Sequence, residues 1–304
     1  MDETVSVPTA DIARKRVASA AGLPAVVAAV AIIIVTLFPA VAPSKFYTNL
    51  ATEMLIYGLW ALSLDVLIGY VGLVSFGHAA YFGLGVYGTG LLLKKAGISI
   101  APAMAGGVVL SLVAALLVGF VIVRLSGIAF AMLTLAFAQM FFTVVWRWSS
   151  LTGGDDGISV PRPDLEVWGQ VVSLQSSTAY YYFVVAMVMV IYALIYRAVN
   201  SPVGAALQAI RENETRAECI GFAVQRYKLI AFAIAGTVAG IAGSLLVMFK
   251  GFAAPSLMHW SASGSVLMMA ILGGTGTLYG PLAGAALMVF AQDYLSSYTE
   301  HWML

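Results

Sequence analysis

Asp65, Ser75 and His78 are polar residues set in or beside the apolar run LIYGLWALSLDVLIGYVGLVSFG. An ionised carboxylate about midway along a membrane span is costly, so such a residue is a functional candidate by default. Two chemistries are open to Asp65. It is protonated, which suits proton coupling, or it accepts hydrogen bonds from backbone donors freed by a break near Gly69 or Gly72, which is a structural or gating use. His78 follows a glycine-rich stretch, where an imidazole can titrate near neutral pH, bind substrate, or simply be hydrogen-bonded in place. Ser75, Thr134 and Gln139 are uncharged groups inside apolar segments, able to line a path or to bond across helices. None of these residues forms a catalytic constellation. The chain has no HExxH, no GxSxG, no P-loop GxxxxGK[ST] and no cysteine and histidine pairing with ligand spacing. Any active transport would then draw on an ion gradient or on a separate ATPase.

The elements that must position these groups are membrane spans. Of 304 residues, 61% are hydrophobic and 10% charged, against roughly 45–50% apolar and about 25% charged in soluble domains. Apolar segments fall at 23–42, 52–74, 77–93, 101–123, 127–147, 179–197, 229–249, 262–275 and 281–297. The chain reads as an all-α polytopic bundle of about eight or nine crossings, each needing about 20 apolar residues. The segments at 77 and 262 are short and glycine-rich, which predicts broken or re-entrant pieces pointing to a permeation path. Residues 1–22 form a polar N-terminal segment, and the single transmembrane domain takes the rest, 23–304. The run 23–42 is long enough to span and is read as an uncleaved anchor rather than a secretory signal. A net charge of +1 without a clustered basic face excludes an electrostatic case for nucleic acid. With one cysteine, Cys219, there is no internal disulfide, and with three scattered histidines a structural zinc site is not expected.

The largest cluster of charge lies within the loop 199–228, NSPVGAALQAIRENETRAECIGFAVQRYK from Asn200. Pro202 suits a first helical turn and Gly221 a stop. Glu212 with Arg216, and Arg211 with Glu214, have spacings that support an exposed helix joining two spans. That helix is either a solvated loop or a docking element for a soluble partner. If Arg14, Lys15 and Arg16 are cytoplasmic, strict alternation puts Arg124, Arg197, Arg211, Arg216, Arg226 and Lys228 on the same side, an excess of basic residues that supports the orientation. The loop 149–178 then faces outward. Its LTGGDDGISVPRP, with Asp155 and Asp156, has turn chemistry, and it is either an ordinary external loop or a cap or docking point at the outer mouth.

Small residues crowd the last third. Gly236, Gly240 and Gly243, and then Gly276, Gly280 and Gly284, let helices approach closely. Pro281 is expected to break the second series, so GGTGTLYGPLAGA reads as a tight bend between the last two segments.

From about Leu62 to Leu295 the chain resembles the permease subunits of bacterial branched-chain amino-acid ABC transporters, in their LivM-like branch. The resemblance rests on LSLDVLIGYVGLVSFGHAAYFGLGVY, RLSGIAFAMLTLAFAQM, LTGGDDGI, SPVGAALQAIRENETRAECIGFAVQRYKLIAFAIAGTVAGIAGSL and GGTGTLYGPLAGAAL, in that order. It implies a multi-pass protein of the bacterial inner membrane with a cytoplasmic N-terminus. It also implies that Arg211, Glu212, Glu214, Arg216 and Gly221 belong to a coupling helix seated on an ATP-binding subunit. That subunit would hydrolyse the ATP, with no cofactor on this chain. Further implied partners are a second, related permease and an extracytoplasmic solute-binding protein that meets the outer mouth near Asp155 and Asp156. Asp65, Ser75, His78, Thr134 and Gln139 are the expected path residues. Urea, amides or aromatic acids are alternative cargoes, and a proton-coupled secondary transporter is the alternative mechanism. Relatives usually continue past His301 and Trp302 with one more span and a basic tail.

Overall fold

The computed structural model describes residues 35–39, 44–161, 165–167 and 170–296. The expected segment 1–22, most of the first apolar run and the residues around His301 and Trp302 lie outside the described residues. The chain divides into Met1–Ser44 and Lys45–Leu304. In the first unit the described part is mainly a helical turn at 35–39.

The second unit is a helical bundle, as its composition demands. Its long helices are α1 (Lys45–Ile68), α3 (Ile100–Ile122), α4 (Gly127–Arg147), α5 (Ser177–Val199) and α8 (Val224–Lys250). These are the five helices among the described residues that are long and apolar enough to cross a membrane. Shorter ones complete it: α2 (His78–Leu91), continued by a π-helical turn Leu92–Ala96, then α9 (Trp260–Gly273) and α10 (Gly280–Ser296). The loop between α5 and α8 forms α6 (Pro202–Glu212) and α7 (Glu214–Cys219). Among the described residues strands are few. β1 (Ile158–Ser159) pairs antiparallel with β4 (Phe252–Ala253), in register Ile158 to Ala253, and β2 (Leu165–Val167) with β3 (Gln170–Val172).

Helices α1, α2 and α8 form the interior. Trp60 stacks on Phe82 with ring centroids 4.1 Å apart, and Phe232 meets the edges of Tyr81 and Phe130. The close approach of α8 to its neighbours explains its glycines. A β-carbon at Gly236 would lie 2.5 Å from Cβ of Ala115, one at Gly240 2.5 Å from Ser111, and one at Gly243 2.0 Å from the Phe82 carbonyl oxygen. These are packing faces, as small residues in apolar spans generally are. Around this interior α3 and α5 turn large apolar side chains outward, among them Leu117, Phe120, Val190 and Leu194, as a lipid-facing surface requires.

The two glycine-rich segments form short helices, α2 and α9, each preceded by irregular backbone. The first follows a turn after α1, and His78 at the start of α2 sits beside Ser63, five residues before the end of α1. Helix α2 therefore starts about 8 Å inside the end of its neighbour, at 1.5 Å per residue. Before the second segment a 3-10 turn, Pro255–Met258, carries Met258 against Gly83 in the middle of α2, and α9 starts from there. Gly274–Tyr279 is the expected bend. Pro281, expected to break a helix, instead occupies the first turn of α10, where a missing N–H costs nothing.

Candidate functional site

Irregular backbone within a bundle must find partners for its N–H groups, and the break between α1 and α2 finds them in side chains. Ser75 Oγ accepts from Gly77 N at 3.3 Å, Thr134 Oγ1 from Phe76 N at 3.2 Å, and Ser263 Oγ from Ala79 N at 2.9 Å. All three side chains are buried. Ser75 and Thr134 thus act on the backbone, joined by Ser263 of α9, which sequence reasoning missed. The N-terminus of α2 is in large part capped by protein acceptors.

His78 is fully buried, with Nε2 2.7 Å from Ser63 Oγ. The serine gives its proton to the Trp60 carbonyl at 2.6 Å. With that proton committed, Ser63 Oγ is placed to accept from Nε2, and Nδ1 has no hydrogen-bond partner among the described residues. Of the uses open to His78, the hydrogen-bonded one fits this geometry.

Asp65 is not midway along its span. Because α1 begins at Lys45 and ends at Ile68, the residue falls in the last turn, fully buried. Its Oδ1 accepts from Gly276 N at 2.8 Å, in the bend between α9 and α10, and Tyr70 Oη donates to Gly276 O at 3.3 Å. Gly69 leaves room for this crossing, since a β-carbon there would lie 2.4 Å from Gly276 N. The backbone donor is of the kind the sequence led one to expect, but it comes from Gly276 rather than from the break after α1. A guanidinium N–H of Arg211, at the end of α6, donates to the Gly69 carbonyl.

The charged loop is two helices rather than one. Asn213 takes an extended conformation (φ −160°, ψ 102°), and its side chain accepts from Arg216 N at 2.8 Å, capping α7. Asn is among the strongest capping residues, and here that preference outweighs continuation of the helix. The expected pairs change accordingly. Glu214 pairs with Lys228 at 2.5 Å, and among the described residues neither Glu212 with Arg216 nor Arg211 with Glu214 forms an ion pair. Helix α6 buries Ala206, Leu207 and Ile210, and Ile210 packs with Ala217 and Val224. Glu212, Arg216, Cys219, Ile220 and Gly221 are exposed. Gly221 has φ +93° and ends the pair of helices as expected.

Thr134 and Gln139 face different ways. Thr134 points at the break, whereas Gln139 is exposed on α4, in a shallow groove shared with Met132, Leu135, Ala136 and Trp260. Asp155 and Asp156 are exposed in a 3-10 turn, and Asp155 Oδ1 accepts from Trp146 Nε1 at 3.1 Å. Close by, Thr152 donates to the Val145 carbonyl at 2.6 Å and Lys95 to the Ser150 carbonyl at 3.0 Å. Among the described residues no cluster of His, Cys, Asp or Glu suits a metal ion.

An all-α membrane bundle with irregular backbone before α2 and α9, and buried polar groups bonded mainly to backbone, fits a transporter. More narrowly, a family model described as branched-chain amino acid transport system permease component matches residues 46–303, and the chain belongs to that family. Over 281 residues it is 28% identical to the high-affinity branched-chain amino acid transport system permease protein LivM of Escherichia coli K12, covering 86% of this chain and 66% of that one. It is 24% identical over 277 residues to the probable LivM of Methanocaldococcus jannaschii, covering 80% and 79%. It is 25% identical over 259 residues to the LivH permease of Escherichia coli K12, covering 80% and 82%. The chain thus spans about two thirds of the length of the E. coli LivM. No solved structure matches it.

Proposed function

We propose that this chain is a permease subunit of an ATP-binding cassette importer, forming part of the path for branched-chain or related amino acids. Family membership carries the reading. The exposed side of α6 and α7 supports it, because a firmly anchored, amphipathic loop helix is what a soluble ATPase needs in order to push on a bundle. ATP is hydrolysed by separate subunits, and this chain holds no cofactor. Likeness to both LivM and LivH supports pairing with a second, related permease. An extracytoplasmic solute-binding protein delivers cargo at the end bearing the 149–178 loop. The protein lies in the bacterial inner membrane with its N-terminus and α6 cytoplasmic.

The path takes its walls from α2 and α9 and from the irregular backbone before them. Its groups differ in role: Gln139 offers an amide in the open groove, while Asp65, Ser75, His78 and Thr134 hold the broken backbone that shapes the route. The test is uptake into vesicles carrying the permease pair and ATP-binding subunits, fed by the binding protein. Leucine accumulation that needs ATP and survives an uncoupler supports the reading. Accumulation that survives loss of ATP and collapses with the uncoupler sinks it in favour of proton coupling. Competition by urea, an amide or an aromatic acid, with none by leucine, would move the cargo.

A further inference from the structure

Three parts of the chain far apart in sequence converge at the end of α1. Arg211 closes α6 and donates to the Gly69 carbonyl. Gly69 lies under the bend at Gly276, whose N–H goes to Asp65 Oδ1 and whose carbonyl takes Tyr70 Oη. Gly276 has φ +80°, a conformation that suits glycine, and a β-carbon there would lie 3.4 Å from an Arg211 guanidinium nitrogen. Asp65 is fully buried, and its Oδ2 has no hydrogen-bond partner among the described residues. Arg211, exposed on the surface helix, reaches the same joint through the Gly69 carbonyl and the Gly276 bend, without a direct ion pair to Asp65 among the described residues.

We infer that Arg211 and Asp65 form the joint that carries movement of α6 to the bend between α9 and α10, with Arg211 acting inward on the bundle rather than on the ATPase. The inference rests on the proposed function and refines it: Glu212, Arg216 and Gly221 meet the partner, and Arg211, exposed like them but bonded inward to the Gly69 carbonyl, passes the motion on. Both are positioning residues. Arg211 ties α6 to the end of α1, and Asp65 ties the end of α1 to Gly276. Displacing α6 then pulls on the bend and, through it, on helix α9. Gly69 is what lets the three segments meet, because any side chain there would separate Asp65 from Gly276.

The experiment uses the reconstituted complex and reads ATP hydrolysis, leucine uptake and co-purification of the ATP-binding subunit in wild type, Arg211→Gln, Asp65→Asn and the double variant. Asn keeps an acceptor for Gly276 N and removes only the charge. The expected result is a loss of uptake of about ten-fold in each single variant, the size of a typical coupling free energy, with little further loss in the double. ATP hydrolysis and co-purification stay within about two-fold of wild type, below that coupling range. Unchanged uptake, losses that multiply in the double variant, or an Arg211→Gln complex that sheds its ATPase would each overturn the joint. Should Arg211→Gln not accumulate in membranes, Asp65→Asn decides alone. Wild-type uptake then refutes the joint, and loss of uptake with hydrolysis retained supports it. A wild-type chain that binds no ATPase fails at the proposed function itself, a result distinct from all of these.

Discussion

The ammonium of Lys228 lies 2.5 Å from Oε1 of Glu214, and this pair fastens α7 to the first turn of α8. Lys228 is buried while Glu214 is 38% exposed, so the bond closes one side of the loop and leaves the other to solvent. Removing the acid strands a buried cation. Glu214→Gln should therefore cost about 1–2 kcal/mol, less than a fully buried pair because water reaches one partner. Hydrogen exchange should show the loss as faster exchange of amides 213–223, with α8 unchanged beyond its first turn. The double variant Glu214→Leu with Lys228→Met should recover most of the protection.

The side chains that serve the break between α1 and α2 make a second expectation. Thr134→Val keeps shape but leaves Phe76 N without its acceptor, and Ser263→Ala does the same to Ala79 N. Each should lower stability by about 1–3 kcal/mol, the cost of an orphaned buried donor. Thermal unfolding in detergent checks this, and Thr134→Ser should remain near wild type.

His78 bears on mechanism. A buried imidazole tied to Ser63 fits a structural use, so a His78→Asn protein that folds should keep the wild-type pH profile of uptake between about pH 5.5 and 8, where a free histidine would titrate. A profile that flattens on this change would restore proton coupling as the mechanism.

Glycines separate by position. Gly240→Val would drive a side chain into Ser111, where even a β-carbon lies at 2.5 Å, and should prevent accumulation of folded protein. Gly264→Ala, on α9, meets nothing within 4 Å and should be tolerated. Fluorescence-detected size exclusion distinguishes the two outcomes.

Much of this was legible in the residues. Hydropathy alone placed 127–147 and came within one to five residues of α3, α5 and α8, because lipid leaves a helix few alternatives, but it set α1 six to seven residues late. The shortness of the segments at 77 and 262 matched the short helices α2 and α9. Asp65 was misplaced because Lys45 and Thr48 made the first turns of α1 look like loop, although Thr48 is buried, and because the apolar run continues past the end of α1 at Ile68. The split at Asn213 was hidden by helix formers on both sides. The partners of Arg211 and Glu214 could not be read from helical spacing, since the turn after α7 and the fold of the whole chain bring Lys228 and Gly69 to them. Gln139 and Thr134 looked alike because spacing does not say which face of α4 a neighbour covers.

The central claim is that α6 and α7 are where a separate ATPase grips this permease. The most direct measurement is co-purification of the ATP-binding subunit in detergent with wild type and with Glu212→Arg plus Gly221→Pro. Both positions are exposed, and proline cannot adopt the positive φ of residue 221. Wild type should retain the subunit, and the double variant, still inserted in the membrane, should lose it. Equal retention by both, or no ATPase bound by wild type from its own cell, would contradict it.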